Sequence, residues 1–196
     1  LKTSDQLSVG CVILAAGSSV RYGKNKLFEK IDGKTMIERA FASVPSSRLC
    51  AAAVVTQYES VRELAEGYGF RCLINRHPER GQSHSVALGT AALKDQCSGI
   101  LYLVADQPWL KRESIAQMLD VFCDNPDCIV SMSSGGRRGS PCIFPRAYFD
   151  ELCRLTGDVG GRAVIERHSD RLILFEVDEA ELRDVDTPED MVTDDG

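Results

Sequence analysis

The chain has 196 residues, of which 43% are hydrophobic and 27% charged, and this ordinary globular composition excludes disorder, collagen and coiled coil. Twenty-nine acidic residues against 23 basic ones leave a net charge of −6, which argues against a non-specific nucleic-acid coat but permits a local basic phosphate site. No apolar run approaches the roughly 18 residues needed to span a bilayer, and the opening Leu1-Lys2-Thr3-Ser4-Asp5-Gln6 lacks the apolar centre of a signal peptide.

The eight cysteines nowhere form Cys-x-x-Cys. Cys123 and Cys128 lie near each other, but no His or second close pair completes a metal set. Cys11, Cys72 and Cys142 sit in apolar runs, where a free thiol acts as a small hydrophobe. Reduced structural cysteines and a cytoplasmic location are the expectation.

In chain order, apolar runs alternate with helical patterns. Val9 to Ala15 reads as a buried strand, with a helix from Met36 to Val44 after it. Ala51 to Thr56 precedes an amphipathic stretch, Glu59 to Tyr68, with Val61, Leu64, Ala65 and Tyr68 on one face. Arg71 to Ile74 precedes Ser83 to Leu93, where Val86, Ala87, Ala91 and Leu93 form a looser stripe. Ile100 to Ala105 precedes Ser114 to Phe122, with Ile115, Met118, Leu119 and Phe122 at helical spacing. Beyond these come strands Cys128 to Met132 and Pro141 to Phe144, separated by a Gly-rich hinge over 135–139. Helices Ala147 to Leu155 and Gly161 to His168 follow, then the strand Leu172 to Val177. Strand–helix alternation predicts one three-layer α/β domain, Rossmann-like, with a mostly parallel central sheet.

Three segments carry chemistry. The first, Leu14 to Gly23 followed by Lys24-Asn25-Lys26, leaves a strand with small residues, two glycines and three cations. Small residues let backbone N–H groups close around phosphate oxygens, and Arg21 and Lys26 would add charged contacts; a plain turn with solvated cations is the competing reading. Gly-x-Gly-x-x-Gly is absent, and the spacing from Gly17 to Gly23 and the Lys24-Asn25 pair miss a P-loop. The second segment, Ile100 to Pro108, ends an apolar strand in Asp106, at the sheet edge where open α/β folds bind ligands. A capping role competes, but Asp106 lies too far ahead of the helix near Ser114. In the third, Asp184 to Asp190, Asp186 or Thr187 reads as a helix cap with Pro188 at the first position. Asp186 gains interest only as a partner for Asp106, since magnesium takes oxygen ligands from one or two carboxylates plus substrate phosphates.

These segments, in this order, resemble the MobA-like nucleotidyltransferases, most of all the branch that contains molybdenum-cofactor cytidylyltransferases. Leu14-Ala15-Ala16-Gly17, Ser18 or Ser19, Arg21-Tyr22-Gly23 and Lys26 are similar to its opening motif, and Ala16 resembles the cytidylyl type, where guanylyl-type relatives carry a second Gly. Gly81-Gln82-Ser83-His84-Ser85-Val86 resembles the loop beside the nucleotide, and Val104 to Pro108 the metal-binding Asp motif. Gly157 to Arg162 and Asp184 to Asp190 resemble two C-terminal motifs. Gly139-Ser140-Pro141 departs from the common Gly-His-Pro on the acceptor side, so the acceptor can differ. His84 reads equally as a neutral loop residue or a ligand contact.

The resemblance implies a nucleotide-diphospho-sugar transferase type of fold, with a nucleotide-binding half at about 9–125 and an acceptor-side half at about 126–191. It implies Mg2+-dependent transfer of a nucleotidyl group, CMP from CTP by preference, to molybdopterin or a molybdenum-cofactor intermediate, releasing pyrophosphate. A molybdoenzyme would then receive the product, with no nucleic acid or membrane involved. The backbone of Leu14, Ala15, Ala16 and Gly17, with Arg21 and Lys26, would hold the triphosphate; Gln82 and Ser85 the base or ribose; Asp106 and Asp186 the metal. Ser140, Asp158 and Arg162 would shape the acceptor side. A sugar-1-phosphate nucleotidyltransferase and a non-catalytic cofactor-delivery protein are the alternatives.

Overall fold

The structure is a computed structural model, and it describes residues 7–17 and 25–191. Among the described residues seven strands form one sheet in the order β5-β4-β1-β6-β8-β7-β9. They are β1 (Val9–Ala15), β4 (Ala51–Thr56), β5 (Arg71–Ile74), β6 (Gly99–Val104), β7 (Ile129–Ser134), β8 (Arg137–Pro145) and β9 (Leu172–Glu176). β8 alone runs antiparallel, to both β6 and β7; the other neighbours pair in parallel. Among the described residues six α-helices cover the sheet: α1 (Met36–Ser43), α2 (Glu59–Gly67), α3 (Gln82–Leu93), α4 (Arg112–Asp124), α5 (Phe149–Cys153) and α6 (Arg162–Arg167). A short hairpin of β2 (Lys30–Ile31) and β3 (Lys34–Thr35) stands apart, its turn made by Asp32 and Gly33 at positive φ.

Strand alternation sorts the core into two layers. Val9, Cys11 and Ile13 of β1 face one side with Ile37 and Phe41 of α1, Val61 of α2 and Ile115, Met118 and Phe122 of α4. Val12 faces the other side with Val86 and Leu93 of α3, Leu152 of α5 and Val164 and Ile165 of α6. This is the predicted three-layer α/β arrangement. Among the described residues no helix is long and apolar enough to cross a membrane, and all eight cysteines are free thiols.

Three expectations need correction. On α3 the buried face is Ser83, Ser85, Val86, Gly89, Thr90 and Leu93, whereas Ala91 is exposed. The helix runs so close to the sheet that a Cβ on Gly89 would lie 2.4 Å from Val12 Cγ1, so small and hydroxyl residues replace an apolar stripe. Residues 135–139 are no hinge. Gly135 and Gly136, both at positive φ, make the tight turn of the β7–β8 hairpin, and β8 already begins at Arg137. Finally, the helix expected from Ala147 is a 3-10 turn, Arg146–Tyr148, leading into the five-residue α5.

Candidate active site

The chain builds β4 and β5 on one side of β1 and then crosses to β6 on the other, so the carboxyl ends of β1 and β6 flank a topological switch point. Leu14 pairs with Val104 there, and Ala15 pairs with Thr56 across β4. Three residues at the end of β4 hold the loop after β1 by its carbonyls. Thr56 Oγ1 donates to the Ala15 carbonyl at 3.0 Å, Gln57 Nε2 to Ala16 at 2.8 Å and the Tyr58 hydroxyl to Gly17 at 2.9 Å. Sequence reasoning missed this brace; its only signal was a polar triplet ending the strand next to β1.

Lys26 opens a 3-10 turn, Lys26–Phe28, which Asn25 caps by accepting from the Leu27 N–H, while Leu27 plugs into the core. The turn aims the buried Lys26 ammonium at three oxygens. It donates to Asp106 Oδ2 at 2.9 Å, to the Val185 carbonyl at 2.7 Å and to Asp186 Oδ1 at 3.3 Å. Burial alone would lower the lysine's affinity for its proton, but the charges and hydrogen bonds of Asp106 and then Asp186 outweigh it and raise the pKa. Asp106 and Asp186 meet because the Val185 N–H donates to the Asp106 carbonyl at 3.0 Å and Val185 is fully buried.

The capping reading of Asp106 fails on this geometry. α4 starts with Lys111 as its cap residue, well past Asp106. Pro188–Met191 is a single 3-10 turn, and the carboxylate that accepts from the N–H groups of Asp186 and Thr187 belongs to Asp190.

One cavity brings Asp106, Asp184 and Asp186 together with Ser140, and two further cavities adjoin it. The smaller of these two, of about 740 Å³, is lined by Leu14, Ala16, Gly17, Gln82, Ser85 and Asp106, together with Gln57, Asn75 and Asp158. Ala15 lies behind it, buried. The other, of about 980 Å³, takes in Ser140, Arg138, Arg162 and Asp184 over an apolar floor that includes Tyr102 and Phe144. Arg21, with Ser18, Ser19, Tyr22, Gly23 and Lys24, lies outside the described residues.

Asp158, expected with Ser140 and Arg162, sits with the smaller cavity instead. Its Oδ1 accepts from the Gln82 N–H at 3.2 Å, at the start of α3. The close approach behind this contact explains Gly81, whose Cβ would fall 2.6 Å from the Gly157 carbonyl. The expected loop Gly81 to Val86 is therefore the cap and first turns of α3. Ser85 Oγ accepts from Asn75 Nδ2 at 3.0 Å in a buried pair, so Asn75 is a lining residue that the sequence did not reveal. His84 packs edge-to-face on His77 at 5.8 Å; burial, with the nearby cation of Arg80, lowers its pKa. Asp184, which opens the third sequence segment, lines the larger cavity, and burial together with the Asp106 charge pushes its carboxyl up to about 6.

The mostly parallel seven-stranded sheet, whose switch point presents paired carboxylates and a buried lysine, has the nucleotide-diphospho-sugar transferase fold. Residues 11–172 match the MobA-like NTP transferase domain, and the chain belongs to that family. It is 30% identical to the purine catabolism protein PucB of Bacillus subtilis over 193 residues, covering 91% of this chain and 92% of PucB. It is 25% identical to the 3-deoxy-manno-octulosonate cytidylyltransferase of Francisella philomiragia, over 64% of this chain and 50% of that enzyme. The fold superimposes on Rv0371c of Mycobacterium tuberculosis with a TM-score of 0.80 at 23% identity, covering 94% of this chain and 95% of the other. A CMP:2-keto-3-deoxy-manno-octonic acid synthetase complexed with CTP gives a TM-score of 0.72 at 15% identity, covering 93% and 94%.

Proposed function

We propose that this nucleotidyltransferase moves CMP from CTP to a phosphorylated acceptor of the molybdopterin type, with release of pyrophosphate. The observation that carries the reading is the cluster of Lys26, Asp106 and Asp186, whose two carboxylates line one cavity that adjoins both the cavity at the loop after β1 and the larger, mostly apolar one. The cavity at that loop suits a nucleotide and the larger one a bulky acceptor bearing an anionic group. CTP is favoured by Ala16 in the opening motif and by the likeness to a cytidylyltransferase. The likeness to PucB points to a recipient enzyme in purine catabolism.

An acceptor oxygen attacks the α-phosphorus, and the bond to pyrophosphate breaks. Such a transfer needs positioning and charge neutralisation rather than a covalent nucleophile. The braced backbone of Ala15 to Gly17, with Lys26 and Arg21, binds the triphosphate. Gln82 and Ser85 orient the nucleoside; Arg162 and Ser140 face the acceptor; and Asp158 fixes the start of α3 so that Gln82 stays in place. The donor set fits a hard divalent cation, because two carboxylates and a carbonyl already converge on one positive charge, the Lys26 ammonium. Among the described residues no group of three or more His, Cys, Asp or Glu side chains could hold a metal. Asp106 and Asp186 would share Mg2+ with phosphate oxygens and water, since magnesium takes one or two carboxylates plus substrate phosphates. Bound there, the ion supplies charge neutralisation at the phosphates during bond breaking. A fold relative, Rv0371c, is known in complex with manganese.

The test is pyrophosphate release with four nucleotides crossed against molybdopterin, sugar-1-phosphates and 3-deoxy-manno-octulosonate. CTP with molybdopterin should give the highest turnover. A sugar acceptor used better would replace the acceptor assignment, and equal use of CTP and GTP would remove the donor assignment.

A further inference from the structure

Lys26 is ion-paired with the same two carboxylates that the reading above assigns to the metal. Its ammonium lies 2.9 Å from Asp106 Oδ2 and 3.3 Å from Asp186 Oδ1, and the side chain is only 10% exposed. A divalent ion at those carboxylates would face a second cation at hydrogen-bond range, so the two compete for one donor set. We propose that Lys26 is a resident counter-ion: it holds Asp106 and Asp186 together before metal and nucleotide bind and gives them up only when the two arrive together. The proposal rests on the assignment of Asp106 and Asp186 as metal ligands and of the smaller cavity as the nucleotide's.

The reason is desolvation. A buried ammonium stripped of its acceptors is costly, so metal alone cannot easily evict it. The Val185 carbonyl at 2.7 Å would remain, but one neutral acceptor does not replace two carboxylates. Triphosphate oxygens entering the cavity beside Asp106 give the ammonium a new home, within reach of its flexible four-carbon stem. Metal and nucleotide then bind with positive coupling beyond simple chelation, because each removes the obstacle to the other. Lys26 thereby acts as a positioning residue before chemistry and as a phosphate ligand during it.

The experiment titrates Mn2+ alone, and then Mn2+ with CTP, into the full chain and its Lys26→Met and Lys26→Arg variants, reading free Mn2+ by electron paramagnetic resonance. Lys26→Met should bind Mn2+ alone about tenfold or more tighter than the parent, as expected when a charged competitor at hydrogen-bond distance is removed. Lys26→Arg, which keeps the charge, should show no such gain, and CTP should strengthen Mn2+ binding by a smaller factor in Lys26→Met than in the parent. If Lys26→Met does not fold, the Lys26 ammonium resonance in the parent protein serves: it should shift on adding Mg2+ with CTP and stay fixed with Mg2+ alone at the same concentration. Tight Mn2+–CTP binding with no gain in Lys26→Met, or an unmoved ammonium resonance, overturns the counter-ion role and leaves the site assignment standing. Absence of both Mn2+ and CTP binding in every protein overturns the site assignment and this inference with it.

Discussion

Glu181 offers a perturbation in which stability and the site are coupled. It lies in the 3-10 turn Glu179–Leu182 and is 4% exposed. Its carboxylate accepts from the Lys111 N–H at 3.0 Å and the Ser114 hydroxyl at 3.1 Å, capping α4 from a distant part of the chain. Two hydrogen bonds to a charged acceptor, at about 1.5–3 kcal/mol each, bound the loss at about 3–6 kcal/mol. The Lys111 ammonium, 3.4 Å away on a side chain 58% exposed, adds little, since exposed pairs contribute about 0–1 kcal/mol. Water entering the vacated space repairs part of the damage, so Glu181→Ala should lower the unfolding free energy by about 3 kcal/mol. Glu181→Gln, which keeps the shape but removes the charge from the start of α4, should lose less. Urea denaturation at constant m-value reads both. The turn leads directly into Asp184 and Asp186, so Glu181→Ala should also weaken Mn2+ binding in the presence of CTP. A change under about 0.5 kcal/mol in Glu181→Ala, the range of ordinary surface substitutions, would refute the capping argument.

Gly89→Ala should lower the melting temperature although Ala is the better helix former, because the new Cβ would stand 2.4 Å from Val12 Cγ1 and overpacking costs about 1–3 kcal/mol; a higher melting temperature would contradict the close approach of α3 to β1. Thr35→Ala removes the capping box of α1 and should cost about 1 kcal/mol at neutral pH. The Thr35 hydroxyl and then its N–H hold the Glu38 carboxyl below its ordinary 4.5, so that stabilisation is full above pH 4.5 and fades as pH falls through the lowered value. Melts from pH 3 to 6 should show a shallower acid limb in Thr35→Ala; an unchanged limb would remove Glu38 from the cap.

The order of strands and helices is legible because β1, β4 and β6 are nearly continuous apolar runs bounded by turns, and β8 alone among the described strands of the sheet breaks the parallel pattern. α3 was the hardest helix to read. Its packed face is small and hydroxyl-bearing, since the helix needs closeness to β1 more than apolar area. The β2–β3 hairpin has only two residues in each strand and too few positions to show a period. At the site, Asp106, Lys26 and Asp186 were legible as types and motifs, but not their meeting. That depends on a backbone hydrogen bond from Val185 to Asp106, invisible in a pattern of side chains. Thr56, Gln57, Tyr58 and Asn75 act through register with β1 and through one buried amide–hydroxyl pair, so no local spacing marks them. Asp158 illustrates the converse: its motif was recognised, but its side chain faces α3.

In the proposed reaction Lys26, Asp106 and Asp186 form one transfer centre. Pyrophosphate release from CTP and acceptor at limiting Mg2+ tests it in the parent, Asp106→Asn and Asp186→Asn proteins. Asp106→Asn should lose most turnover while still binding CTP without metal, and Asp186→Asn should lose turnover more mildly, with both variants folded. Parent-level turnover by Asp186→Asn at limiting Mg2+ would contradict the shared site, and parent-level turnover by Asp106→Asn would contradict the centre altogether.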